Sequence, residues 1–163
     1  MIKLDKRDLK ILSILQHEGR ITKTALAERV NLSPTPCWER LKRLEKAGVI
    51  TGYSAKISIK SLKNISFFIM ETELDSHHSN DFLRFEQAVM PMDEVLECWA
   101  VGGRVDYFLK IVAASIDDYQ RFVDSMLAAN IGIKHYCTYI VTRRVKESWV
   151  MPEHLLKDNS AID

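Results

Sequence analysis

Residues 22–50, TKTALAERVNLSPTPCWERLKRLEKAGVI, constrain the fold of this chain more than any other stretch. Ala25, Leu26 and Val30 form a helical stripe that breaks at Asn31-Leu32-Ser33. Ser33 is then suited to cap a second helix whose first turn accommodates Pro34 and Pro36. On that helix Cys37, Leu41 and Leu44 fall at i, i+4 and i+7, so one face packs while Arg40, Lys42, Arg43 and Lys46 point elsewhere. Two short helices joined so tightly predict a helix-turn-helix. A helix start built from Ser33, Thr35 and two prolines can enter a major groove and present its first residues to base edges and phosphates. Gly48-Val49-Ile50 ends the helix and leads into a wing. The competing reading is a polar helical hairpin in some other core, with its cations merely solvated.

Charge distribution separates the two readings. The chain's net charge of +1 conceals an excess of seven positive charges in residues 1–60 and six negative charges in the remainder. Clustered cations give affinity for a duplex through counterion release, so the basic end suits phosphate binding and the acidic end another role. A third helix lies just upstream: Asp5 precedes Leu9, Leu12, Ile14 and Leu15, and the pattern stops near Gly19. Ile21 and Thr22 supply a staple and cap for the next helix, so three helices share one small core. Beyond Ile50, Tyr53, Ala55, Ile57 and Ile59 alternate with polar residues, which predicts a strand running from the wing into an extended linker.

From Ser66 the pattern changes. SFFIMETEL reads as a strand. Residues 80–90 read as a helix with Phe82, Phe85 and Val89 inward and Pro91 as its stop. VLECWAV and VDYFLKIVA read as strands flanking Gly102-Gly103. IDDYQRFVDSMLAA reads as a helix with Asp117 near its cap, and IKHYCTYIVTRRV as a long final strand. The order βαββαβ predicts a ferredoxin-like sandwich, an α+β fold with a four-stranded antiparallel sheet and both helices on one face. The sheet's other face would expose a large apolar patch, which pairing with a second copy would cover.

LSPTPCWERLKRLEKAGVITGY resembles the recognition helix and wing of the Lrp/AsnC (feast/famine) regulators, and GGRVDYFLKI resembles the glycine-rich turn and aspartate of their effector domain. The resemblance runs from about Leu4 to Ser148. It implies a winged helix-turn-helix over residues 1–52, a linker strand over 53–64, a ligand-binding and dimerisation domain over 65–148 and a tail over 149–163. It implies a transcriptional regulator that binds double-stranded DNA at an inverted-repeat operator, answers to an amino acid or similar effector, and forms a homodimer that assembles into tetramers or octamers. Carried over by position, the DNA-reading residues are Ser33, Pro34, Thr35, Pro36, Trp38, Glu39, Arg40 and Arg43. The effector site is Ala100, Val101, Gly102, Gly103, Arg104 and Asp106, with Ile116, Thr138, Tyr139, Ile140 and Val141 of a neighbouring subunit close by. Arg104 departs from the acidic or small residue expected there. Glycines let backbone N–H groups approach a carboxylate, and Asp106 would hold an α-ammonium or orient the turn. Alternatively, Gly102-Gly103 is only a hairpin bend anchored by Asp106.

Other residues receive plainer readings. His77 and His78 with Asp75 or Asp81 lack a third ligand at a useful spacing, so no metal and no cofactor are expected beyond the effector. Cys37, Cys98 and Cys137 are far apart and are expected to pack. Trp99 and Trp149 are expected to pack or line an interface, and the residues after Pro152 to form a short helix or none. No nucleophile and base grouping, P-loop or carboxylate pair appears, which disfavours the alternative of an enzyme or pure ligand-binding module with a helical appendage. MIKLDKRDLK carries no leader-like apolar run and no segment is apolar enough to span a membrane, so the cytoplasm is the expected location.

Overall fold

The computed structural model describes residues 2–58, 64–148 and 150–152. These fall into two compact units: residues up to Lys56 together with those from Lys146 onward, and Ile57–Val145.

The first unit contains three helices, α1 (Lys6–His17), α2 (Lys23–Arg29) and α3 (Pro34–Lys46). Asp5 starts α1 with a capping box. Its carboxylate accepts from the N–H groups of Arg7 and Asp8, and Asp8 accepts in turn from the Asp5 N–H at 2.9 Å. Thr22 caps α2 through its hydroxyl, which accepts from Ala25 N–H at 3.2 Å. The turn between α2 and α3 passes through Asn31 at φ 54°, a left-handed conformation that asparagine tolerates. Gly48 at φ 70° ends α3. Ile11 and Leu12 of α1, Leu26 and Ala27 of α2, Val30, and Cys37, Leu41 and Leu44 of α3 close over one core. Truncating the fully buried Leu44 to alanine would cost roughly 2–5 kcal/mol.

Sequence expectation and structure part company beyond Ile50. Residues 51–58 join no sheet and are exposed, Tyr53 and Ile57 among them. Alternation suits a strand only where a partner completes its ladder, and none of the described residues pairs there. Ile59 lies outside the described residues, as do Trp149 and the tail from residue 153.

The second unit has the expected order: β1 (Ser66–Leu74), α4 (Ser79–Val89), β2 (Val95–Ala100), β3 (Tyr107–Ala113), α5 (Ile116–Ala128) and β4 (Ile133–Ile140). The strands lie in the order β2-β3-β1-β4, all pairs antiparallel. Phe68, Met70 and Leu74 of β1 and Leu109 and Ile111 of β3 pack with Phe85 and Val89 of α4 and Val123 and Met126 of α5. The alternate residues, Phe67, Ile69, Phe108 and Val112, are only partly buried and share the opposite face with Trp99 and Tyr139, each nearly half exposed. Among the described residues of the unit no helix or strand covers that face, and Arg144 lies 4.7 Å over the Phe67 ring at its edge.

Ser115 caps α5, its hydroxyl accepting from Asp118 N–H, and Asp117 stands in the first turn, near the cap as expected. Two details differ from expectation. Strand β4 stops at Ile140, opposite Phe68, rather than running on to Val145, and Val141 N–H adds one more bond, to Phe67 C=O. Cys37 is buried as expected, but Cys98 is exposed because β2 is an edge strand that the helices do not cover.

Candidate DNA-binding and effector surfaces

Helix α3 offers its surroundings three faces. With about 3.6 residues per turn, Cys37, Leu41 and Leu44 face the core. Arg40 and Arg43 flank that face on one side, Trp38, Lys42 and Glu45 on the other. Thr35, Glu39 and Lys46 lie between the flanks, all exposed, as are Ser33, Pro34 and Pro36. Ser33 has the backbone of a cap, but its hydroxyl makes no capping bond, so it remains available to an outside partner. Pro34 and Pro36 have no N–H, which removes two of the four donors that a helix start ordinarily presents.

Arg40 and Arg43 turn inward. Nη1 of Arg40 bonds Oδ2 of Asp5 at 2.5 Å and Oδ1 of Asp8 at 2.9 Å, while Nη2 of Arg43 bonds Oδ2 of Asp8 at 2.5 Å. Asp8 is completely buried, and these partners satisfy its carboxylate there. The N–H of Asp8 on the Asp5 carboxylate, with Arg40 beside it, holds Asp5 down at about 2. The signal was present in the sequence: an acidic pair at i, i+3 on α1 matches a basic pair at i, i+3 on α3.

On the opposite flank, the ammonium of Lys23 stands 3.4 Å and that of Lys42 4.6 Å from the centroid of the Trp38 ring. Lys42 also pairs with Glu45 at 3.2 Å, and the Tyr53 hydroxyl donates to Glu45 at 3.0 Å. Desolvation and that neighbouring carboxylate push the Tyr53 phenol up to about 12.

In the second unit, the link from β2 to β3 passes through Val101, Gly102, Gly103, Arg104, Val105 and Asp106. A Cβ at Gly102 or Gly103 would meet nothing within 4 Å, so their surroundings are open. Asp106 is committed inside the fold. Its Oδ2 accepts from Leu74 N–H at 2.8 Å, where the β1–β4 register shifts, and its Oδ1 lies 3.1 Å from His77 Nε2. Its backbone is pinned as well, with Asp106 N–H on Thr72 C=O and Val101 N–H on Asp106 C=O. The aspartate therefore orients the turn. Arg104 donates to the buried Glu71 at 3.1 Å, and the Tyr139 hydroxyl donates to the same carboxylate at 3.2 Å.

The remaining effector-site expectations lie elsewhere in the chain. Ala100 and the turn adjoin Tyr107, which pairs with Thr72, at one end of the sheet. Ile140 pairs with Phe68 near the other end, Val141 follows it, and Ile116 comes just after β3. At about 3.3 Å per residue, the four-residue step along β1 from Thr72 to Phe68 puts Ile140 about 13 Å along the sheet from the turn, and the length of β3 puts Ile116 about 20 Å away. Thr138 bonds the Tyr119 hydroxyl at 2.5 Å, on the helical side of the sheet. One chain thus does not bring Ile116, Ile140 and Val141 to the turn.

Comparison with known proteins adds to this geometry. Residues 4–51 match the winged helix-turn-helix DNA-binding family, and residues 67–151 match the Lrp/AsnC ligand binding domain. The chain is 52% identical over 145 residues to the transcriptional regulatory protein DoeX of Halomonas elongata, covering 89% of this chain and 92% of that protein. It is 37% identical over 145 residues to the leucine-responsive regulatory protein of Escherichia coli K12, covering 89% of this chain and 88% of the relative. A Neisseria meningitidis transcriptional regulator solved as its L-methionine complex superposes with a TM-score of 0.87 at 33% identity, over 95% of this chain and all of that one. An AsnC family regulator from Agrobacterium tumefaciens gives 0.88 at 30% identity, over 94% of this chain and all of that one.

Proposed function

The chain belongs to the Lrp/AsnC family of DNA-binding transcriptional regulators with a ligand-binding domain, and from that premise we propose how its residues divide the work. The α3 start and outer face, Ser33, Pro34, Thr35, Pro36 and Glu39 with Trp38 at the edge, read double-stranded DNA. Glu39 is suited to accept from a cytosine amino group. Arg43, which has donors beyond the one given to Asp8, reaches a phosphate, and Arg40 holds α3 against α1. A two-fold dimer presents two such helices, so the operator is an inverted repeat with half-sites about one helical turn apart or a multiple of it.

The effector is an amino acid or a close analogue. Its carboxylate meets the backbone N–H groups around Gly102 and Gly103, where no side chain stands in the way. Asp106 orients this turn rather than binding the ammonium. The observation that carries the reading is the separation of the turn from Ile140, Val141 and Ile116, about 13 to 20 Å along the strands. If those residues share one site, a second copy supplies them. The effector then acts by favouring one arrangement of subunits over another, and that arrangement sets how the recognition helices are spaced. The uncovered sheet face, with Ile69, Phe108, Trp99 and Tyr139, supports a homodimer, from which tetramers or octamers grow.

Sedimentation and gel-shift titration, with each of the twenty amino acids and several diamino acids, test this reading. One ligand should shift assembly size and operator affinity together, since linkage makes them two readouts of one equilibrium. A ligand that binds tightly and moves neither would refute the coupling.

A further inference from the structure

We propose that Lys23 and Lys42, gathered on the indole of Trp38, form a phosphodiester-binding site on the α2 flank of the recognition helix, with Trp38 as its positioning residue. The proposal rests on the DNA-binding reading above and names the phosphate contact within it.

Four observations carry it. Of the cations expected to face DNA, Arg40 is engaged on Asp5 and Asp8, and Arg43 has one of its donors on Asp8. The start of α3 is a weakened anion site, because Pro34 and Pro36 remove two of its donors. Two ammonium groups nevertheless converge on one ring, at 3.4 and 4.6 Å from its centroid. The face of an indole attracts a cation, but two cations drawn to one ring also repel each other. Glu45, 3.2 Å from Lys42, offsets one of the two charges. Lys23 makes no ion pair within 4 Å among the described residues, and the carboxylate its charge reaches is the same Glu45. The cluster of Lys23, Lys42 and Glu45 is left with one positive charge, which matches the single negative charge of a phosphodiester.

Trp38 contributes order. A free lysine side chain carries rotamer entropy that phosphate binding must overcome. A ring that already holds the stem and ammonium removes part of that cost, while the N–H groups directed away from the ring stay available to phosphate oxygens. The two lysines come from different helices, so the site exists only when α2 and α3 are docked.

The test is a salt titration of binding to a mixed-sequence DNA duplex by the full-length protein, read by fluorescence anisotropy. Lys23→Gln and Lys42→Gln should each lower the slope of log affinity against log salt by about 0.9, the value for one lost phosphate contact. Lys134→Gln makes the same change of charge in the second unit and should leave the slope unchanged. Trp38→Leu keeps both charges, so its slope should stay near wild type while affinity falls severalfold; Trp38→Phe, which keeps a ring, should recover most of the loss. Wild-type slopes in both lysine variants, beside a wild-type protein that binds, overturn this inference alone. A wild type that does not bind the duplex overturns the DNA-binding reading with it.

Discussion

Arg40→Ala offers a sharp test of the first unit because it distinguishes a DNA contact from a structural clamp. Asp8 is fully buried and holds three partners: Arg40 on Oδ1, and Arg43 with the Asp5 N–H on Oδ2. Breaking a buried ion pair completely costs roughly 3–5 kcal/mol, chiefly through the charge left behind. Here Oδ2 keeps both partners and only Oδ1 is stranded, so the expected loss is about 2–3 kcal/mol. For a unit of this size each kcal/mol moves the midpoint by roughly 4–8 °C, so unfolding of the first unit should occur some 10–20 °C lower. Amide exchange in α1 and α3 reads this unit directly. The Asp5 carboxyl, now held near 2 in part by Arg40, should titrate closer to its ordinary 3.8. In a double-mutant cycle, Arg40→Ala should cost far less when Asp8→Ala is already present. An Arg40→Ala protein with wild-type stability and abolished DNA binding would refute the clamp and return Arg40 to the DNA-reading face.

Asp106→Ala should destabilise the second unit by about 1–3 kcal/mol by stranding the Leu74 N–H, whereas Asp106→Asn, which keeps an acceptor oxygen, should cost less than half as much; urea denaturation measures both. Gly102→Val should leave the thermal midpoint of the unliganded protein within a few degrees, since its Cβ meets nothing within 4 Å and its backbone is not left-handed, yet reduce effector affinity at least tenfold by calorimetry. The depressed Asp5 value means that its stabilisation is complete above about 4 and is lost as pH falls from 3.8 toward 2, so exchange protection at the start of α1 should fall across that window. Ile69→Lys, beside Lys110 and Tyr139 on the open face, should dissociate the assembly in sedimentation while far-UV circular dichroism stays unchanged.

Much of the fold could be read from local pattern because most elements carry their own signals. Strand β1 matches SFFIMETEL residue for residue, and the break at Asn31-Leu32-Ser33 falls between α2 and α3. Legibility failed wherever a segment depended on a distant partner. Residues 51–58 alternate like a strand but find no ladder among the described residues, and β4 ends at its pair with Phe68, a limit that composition does not mark. At the recognition helix, the wheel gave the inward face but not where the long side chains would turn. Arg40 and Arg43 bend toward acids more than thirty residues earlier, and Lys23 reaches a tryptophan on the next helix. Asp106 could be read as anchor or ligand until its bond to Leu74 favoured the anchor.

The emptiness around Gly102 and Gly103 also bears on how such a chain diverges. At Gly132 a side chain would need φ 90° and would meet Arg84 at 2.4 Å, so mutation there is quickly purged. At Gly102 a new side chain meets nothing within 4 Å and needs no left-handed backbone, and the anchors of the turn, Asp106 and its partners, are untouched, whereas Gly103 at φ 159° has the space but not the backbone for one. Variation can therefore accumulate at the tip of the hairpin with little loss of foldedness. A lineage can explore new chemical signals there one substitution at a time, leaving the sheet and the recognition helix as inherited constants.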